Sequence, residues 1–300
     1  MDRSTPLLEP TQLAFRIPAA RTPIIGRADE IASVSRMIDQ GARLITLVGA
    51  GGVGKTRLAQ AVADQQREAF GGRVGWVSLG ELTNPDILLD AIVRTLEIDV
   101  QGRDPIDALR GALGDAPVLL VIDNMEHLAG ASAVLSTALD RIPSLSLLVT
   151  SRVPLRLTGE REVRIAPFPP VGSERDPGAL EAHPAVQLFV ERARAADAGF
   201  VPNAVALERV ANIVAKLDYL PLAIELAAAR IRHFSLEEID ALLSSQLDLL
   251  TGGPRDAPDR HRTIRQTING ATSSCRWMSS VSFANWRSSR VCSPSRARCS

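Results

Sequence analysis

A parallel α/β sheet covered by helices on both faces, followed by a small all-helical unit, is the fold class that this sequence of 300 residues predicts. Three observations predict it. Short runs that are apolar on both faces alternate with helical periods between residues 43 and 166. The first of those runs enters a glycine-rich junction that leads directly into a helix. After the stretch Ala166–Gly178 (APFPPVGSERDPG), which reads as a linker, only helical periods occur from Ala185 to Leu250.

Residues 1–21 carry prolines and no period, and read as a flexible leader. Gly26 opens an amphipathic stretch to about Gln40. Arg43–Val48 (RLITLV) is a β-rich run ending at the glycines, and Arg57–Phe70 continues as a helix. Arg73–Leu79 reads as a second strand, Pro85–Leu96 and Pro105–Leu113 as helices, and Pro117–Ile122 (PVLLVI) as a third strand. Leu145–Thr150 is a fourth strand and Glu162–Ala166 reads as a fifth. From Ala185 to Leu250 the pattern is helical, with Pro221 at a first-turn position.

Hydrophobic residues make up 45% and charged residues 23%, which is ordinary for a water-soluble chain. Formal charge is zero, so no global basic field argues for nucleic acid. No run approaches the ~18 apolar residues of a membrane span, and the start lacks a signal-peptide pattern, so a cytoplasmic chain is expected. Lysine occurs only at positions 55 and 216, and one of the two stands in the glycine loop. His127, His183, His233 and His261 show no metal-ligand spacing. The cysteines (Cys275, Cys292, Cys299) all lie in the last 30 residues and form no disulfide framework.

LVGAGGVGKT (Leu47–Thr56) fits two patterns. Gly49-x-Gly51-x-x-Gly54 is a dinucleotide fingerprint; Gly49-x-x-x-x-Gly54-Lys55-Thr56 is a phosphate loop. The first needs an acid about 20 residues on, to hold a ribose. Val74 stands there instead, inside a strand. The second needs Lys-Thr after the last glycine and a distant apolar strand ending in Asp, which LLVIDN (Leu119–Asn124) supplies. The pattern therefore predicts a nucleoside triphosphate site. Backbone N–H groups of Gly49, Gly51, Gly52, Val53 and Gly54 would surround phosphate at the positive end of the next helix. Lys55 would reach the β- and γ-phosphates, with Thr56 and Asp123 holding Mg²⁺.

Further stretches carry a resemblance. Ile24-Ile25-Gly26-Arg27, GAGGVGKT, LLVIDNMEH, LLVTSR and LPLAIELAAAR occur in the order seen in NB-ARC-like ATPases of the STAND class. Most similar are the regulator ATPases of actinobacteria, fused to transcription-factor or cyclase domains. The resemblance covers residues 22–270 and implies a phosphate-loop domain at 22–170, a helical domain at 180–250 and the start of a winged-helix segment at 251–270. It implies that ATP or ADP bridges the first two. Arg27, Ile25 and Arg57 would lie at the nucleotide, Arg152 would sense the γ-phosphate, and Pro221 would pack on the base or ribose. The same family often has Gly where Tyr219 stands.

Fast ATPases of this broad group place a glutamate directly after the magnesium-binding Asp. Asn124 stands there, an amide that orients water but is a poor base; Glu126, two residues on, is the other candidate to polarise water. Slow hydrolysis or none follows, which suits a regulatory switch between ATP and ADP states. Self-association is compatible with this reading; direct DNA binding and membrane contact are not expected. A phosphate-loop kinase and a nucleic-acid-stimulated ATPase are the rival readings. The stretch 185–250 offers no lid of convergent arginines for the first, and neutral charge and Asn124 weigh against the second.

Ala271–Ser300 breaks with the rest: ten Ser and five Arg, but no Leu, Ile, Asp, Glu, Gly or Lys. Disorder is the expectation from composition. The break also predicts a shifted reading frame after codons 269–270, leaving the winged-helix segment and an output domain out of the chain.

Overall fold

The computed structural model describes residues 13–80, 84–128, 130–172 and 176–244. The segments 251–270 and 271–300, and the expectations attached to them, lie outside the described residues.

Five parallel strands form one sheet in the order β2-β3-β4-β1-β5: β1 (Leu44–Val48), β2 (Val74–Ser78), β3 (Val118–Asp123), β4 (Leu145–Ser151) and β5 (Glu160–Arg164). The phosphate-loop strand β1 is therefore an interior strand beside the edge strand β5, separated from β3 by the central β4. Side chains alternate between two buried layers, as the period of a strand requires. Ile45, Leu47, Leu119, Val121 and Leu148 face α1 (Ala28–Asp39) and α2 (Lys55–Gln66). Leu44, Leu120, Ile122, Leu147 and Val149 face α3 (Leu88–Thr95), α4 (Pro105–Leu113) and α5 (Ser132–Arg141). Asp123 and Thr150 share strand parity with Val121 and Leu148. Both thus fall on the α2 side.

Capping explains several helix starts. Asp104 accepts from the Ile106 and Asp107 N–H groups ahead of Pro105, and Asp176 does the same at α6 (Pro177–Ala182). Helix α7 (Pro184–Ala196) starts at His183, whose Nδ1 accepts from the Ala185 N–H. It packs with α8 (Ala204–Lys216) and α9 (Pro221–Ala228), burying Phe189, Val210, Ile213, Val214 and Ile224. Helix α10 (Leu236–Ser244) is tied to α8 by Lys216, whose Nζ meets Asp240 Oδ1 at 2.6 Å.

Two expectations shift. Strand β5 is Glu160–Arg164 rather than Glu162–Ala166, because pairing with β1 sets its bounds where sequence shows no apolar pattern. Residues 13–21, read as part of a flexible leader, lie against the fold. The Ala14 N–H donates to Leu96 O, Phe15 packs beneath the Arg73 guanidinium, and Pro18 O accepts from Gln60 Nε2. Among the described residues, no helix is long and apolar enough to cross a membrane.

Candidate nucleotide-binding site

Strand β1 delivers the chain to Gly49, where a Cβ would stand 2.4 Å from Ile165 O; only glycine fits so close an approach. Gly51 and Gly52 form the turn, and Gly54 starts α2. The Val53 side chain is buried in the core, leaving only its backbone for a ligand. Lys55 is 8% exposed and folds back over the loop, its Nζ donating to Gly49 O at 2.8 Å and Ala50 O at 3.1 Å. Burial pushes its ammonium below the ordinary lysine range. The carboxylates of Glu126 and Asp123 oppose that push and Arg152 reinforces it.

Asp123 ends β3 and is buried by polar partners on every side. Its Oδ1 accepts from the Thr56 hydroxyl at 2.8 Å and from the Thr150 hydroxyl at 2.6 Å. Its Oδ2 accepts from Asn124 Nδ2 at 2.9 Å. Thr150 in turn accepts from the Asn124 backbone N–H at 2.9 Å. The hydroxyl–carboxylate pair Thr56–Asp123, at the start of α2, fits a hard divalent cation that keeps several waters and takes its other ligands from phosphate, as Mg²⁺ does. Among the described residues, no cluster of three His, Cys, Asp or Glu suits a metal held by protein alone.

Beyond the left-handed Asn124, the 3₁₀ turn Met125–His127 brings Glu126 back toward the loop. Its Oε1 accepts from Arg152 Nε at 3.2 Å, with side chains 13% and 25% exposed. Glu126 Oε2 is buried without a hydrogen-bond partner. The two residues singled out for the γ-phosphate and for water thus pair with each other.

Arg27, 7% exposed, joins three segments. It donates to Ala166 O at 2.7 Å and Val53 O at 3.3 Å, meets Glu30 at 2.6 Å and lies over the Phe168 ring. Ile25 beside it is half-buried and Ile24 packs against the core. Gly26 has φ +63°, and a Cβ there would stand 2.2 Å from the Pro184 Cβ. Arg57 turns away from the loop toward Thr22, donating to its carbonyl and, at 3.2 Å, to its hydroxyl. That hydroxyl also accepts from Arg192 on α7 at 3.0 Å, and Arg192 pairs with Glu225 on α9.

Pro221 opens α9, and the next residue's N–H, from Leu222, donates to Gly52 O at 3.1 Å. The helical region therefore touches the phosphate loop directly. Tyr219, just before, has φ +56° and Asp218 φ +51°. Both occupy the left-handed region that glycine enters without cost. Sequence reading missed Thr150 and the Leu222 contact; both depend on which elements become neighbours.

A parallel sheet of this strand order with a glycine loop, Lys-Thr and a strand-end Asp defines a phosphate-loop NTPase fold. More narrowly, residues 38–165 match the family model of the AAA domain. It is 38% identical over 229 residues to a protein of Mycobacterium tuberculosis named as an HTH-type transcriptional regulator, covering 76% of this chain and 24% of that one. It is 30% identical over 223 residues to the regulatory protein AfsR of Streptomyces griseus, covering 69% and 21%. The chain thus spans about a quarter of the length of these regulators. The Walker-type ATPase of Pyrococcus abyssi has the same fold, with a TM-score of 0.55 at 16% identity over 88% of this chain and 79% of that one.

Proposed function

We propose that the chain is the ATP/ADP-binding regulatory module of an NB-ARC-like signalling ATPase of the STAND class, from a lineage of transcriptional regulators. The carrying observation is the contact of Leu222 N–H with Gly52 O beside the Thr56–Asp123–Thr150 network. A helical domain that holds the phosphate loop is placed to respond to what the loop binds. In this reading the N–H groups of Gly49, Gly51, Gly52, Val53 and Gly54 cradle phosphate. Lys55 leaves the loop carbonyls for the β- and γ-phosphates, gaining a partner that offsets its burial. Thr56 and Asp123 hold Mg²⁺, which when bound neutralises phosphate charge. Ile25, Arg27, Arg57 and Pro221 line the nucleoside end, and Arg152 meets the γ-phosphate.

The domains divide at 22–170 and 180–250, the module works in the cytoplasm, and self-association accompanies the ATP state. DNA contact in such regulators belongs to other parts of the protein. A switch needs different affinities for its states, not fast turnover. Asn124, held by Asp123, suits slow hydrolysis.

The test is to purify the chain and its Lys55→Ala variant and to identify nucleotide released on denaturation. Stoichiometric adenine nucleotide in the parent and none in the variant is the expected result. A folded parent that is empty, and binds neither ATP nor ADP when supplied with Mg²⁺, refutes the reading.

A further inference from the structure

Asp123 is followed by an amide where a base is needed, and that amide is already committed: Asn124 Nδ2 donates to Asp123 Oδ2 at 2.9 Å. Asp123 itself accepts from three groups. One carboxylate near Lys55 has an oxygen to spare. Glu126 Oε2 is buried and has no hydrogen-bond partner, while Oε1 is held by Arg152 Nε at 3.2 Å. The left-handed backbone of Asn124, φ +67°, turns the chain so that Glu126 returns to the loop three residues after Asp123. An orphaned buried carboxylate oxygen is costly unless some state of the protein gives it a partner.

We propose that Glu126 is the catalytic residue that takes the proton of the attacking water, and that Arg152 holds it in reserve until a γ-phosphate draws the guanidinium away. The inference rests on the nucleotide reading above. The single Nε–H of Arg152 cannot serve Glu126 Oε1 and a γ-phosphate oxygen at once; in this proposal the γ-phosphate takes the guanidinium and opens the ion pair, which ADP leaves closed. Once released, the carboxylate orients a water. The water oxygen bonds to the γ-phosphorus, and the bond from that phosphorus to the β–γ bridging oxygen breaks. ADP leaves with that electron pair, and the water proton passes to Glu126. Sensor and base become one device.

The test measures affinity for ATPγS and for ADP by calorimetry, with Mg²⁺, in the full chain, Glu126→Gln, Arg152→Ala and the double variant; single-turnover ATP hydrolysis accompanies it. Glu126→Gln removes the competitor for Arg152, so ATPγS affinity rises about fivefold relative to ADP. Hydrolysis falls about 100-fold or more. In the Arg152→Ala background the gain in ATPγS preference disappears, which separates ion-pair competition from plain repulsion between Glu126 and phosphate. A gain that persists there, equal shifts for both nucleotides, or turnover within threefold of the parent overturns the proposal. So does a parent that binds ATP and never hydrolyses it. A parent that binds neither nucleotide refutes the underlying reading instead. If Glu126→Gln does not fold, Glu126→Asp, too short to keep the Arg152 contact, is read against the same outcomes.

Discussion

Thr150 is the residue whose loss tests the site architecture most directly. Thr150→Val keeps shape and β-branching but removes a hydroxyl that donates to Asp123 Oδ1 at 2.6 Å and accepts from the Asn124 N–H at 2.9 Å. Thr150 is 1% exposed, so water cannot replace either bond readily. A hydrogen bond to a charged group contributes about 1.5–3 kcal/mol, and a buried N–H left without an acceptor costs about 1–3 kcal/mol. Asp123 keeps Thr56 and the Asn124 amide, so the two terms do not add in full; a loss of about 2–4 kcal/mol is expected. At about 2–4 °C per kcal/mol for a chain of this size, that lowers Tm by about 4–16 °C. Thr150→Ser keeps the hydroxyl and gives up one methyl, a loss of about 1 kcal/mol. Urea titrations and thermal melts of the parent and both variants measure this. A valine variant within about 0.5 kcal/mol of the parent, or a serine variant as damaged as the valine, would mean that packing rather than the hydroxyl matters there, and the reasoning would fail.

Gly26→Ala drives a Cβ to 2.2 Å from Pro184 at a backbone angle of +63° and should lose about 2–4 kcal/mol in denaturant titration; near-parent stability would show that α7 yields easily. At Tyr219, φ +56°, the glycine variant should be more stable than the alanine variant by about 1 kcal/mol; the reverse order would argue against the left-handed turn. Burial holds the His183 imidazole below the ordinary histidine pKa, and its Nδ1 must be unprotonated to accept from the Ala185 N–H. The folded state therefore binds this proton less readily than the unfolded chain. The stability contribution is present above about pH 6.5 and is lost as pH falls toward the lower folded value. His183→Asn, which retains an acceptor at the helix start, should flatten the urea-midpoint difference between pH 7.5 and pH 5.5; an unchanged difference would move the effect elsewhere.

The sheet was legible because its strands are apolar on both faces and end in punctuation. RLITLV and PVLLVI stop at a glycine loop and an Asp, and α4 falls at Pro105–Leu113 as Asp104-Pro105 announces. Helix α5 was not read: Ala131 provides no side-chain cap, and Ser132–Arg141 mixes Ser, Thr and Val with its leucines. Strand β5 carries Glu160-Arg161-Glu162, whose charges hide a strand that pairing with β1 defines. The site divides in the same way. Gly49–Thr56 is contiguous, and Asp123 is a strand end, so local chemistry reveals both. Thr150 joins them only because β4 lies between β1 and β3, a fact of strand order. The Arg152–Glu126 pairing and the bond from Leu222 to Gly52 are facts of tertiary packing that no period encodes.

The grip on the phosphate loop from outside has a mechanical consequence. A peptide unit is a rigid trans plane, with its carbonyl and N–H on opposite edges. Leu222 anchors the carbonyl of Gly52 and Arg27 that of Val53. Each anchor therefore also fixes the bearing of the N–H across the same plane, on Val53 and on Gly54. These two adjacent planes work like vanes on a common spindle, one steered from α9 and the other from the entrance of α1. Withdrawing α9 would let one vane swing, and the aim of the donors would change before any side chain in the loop had moved.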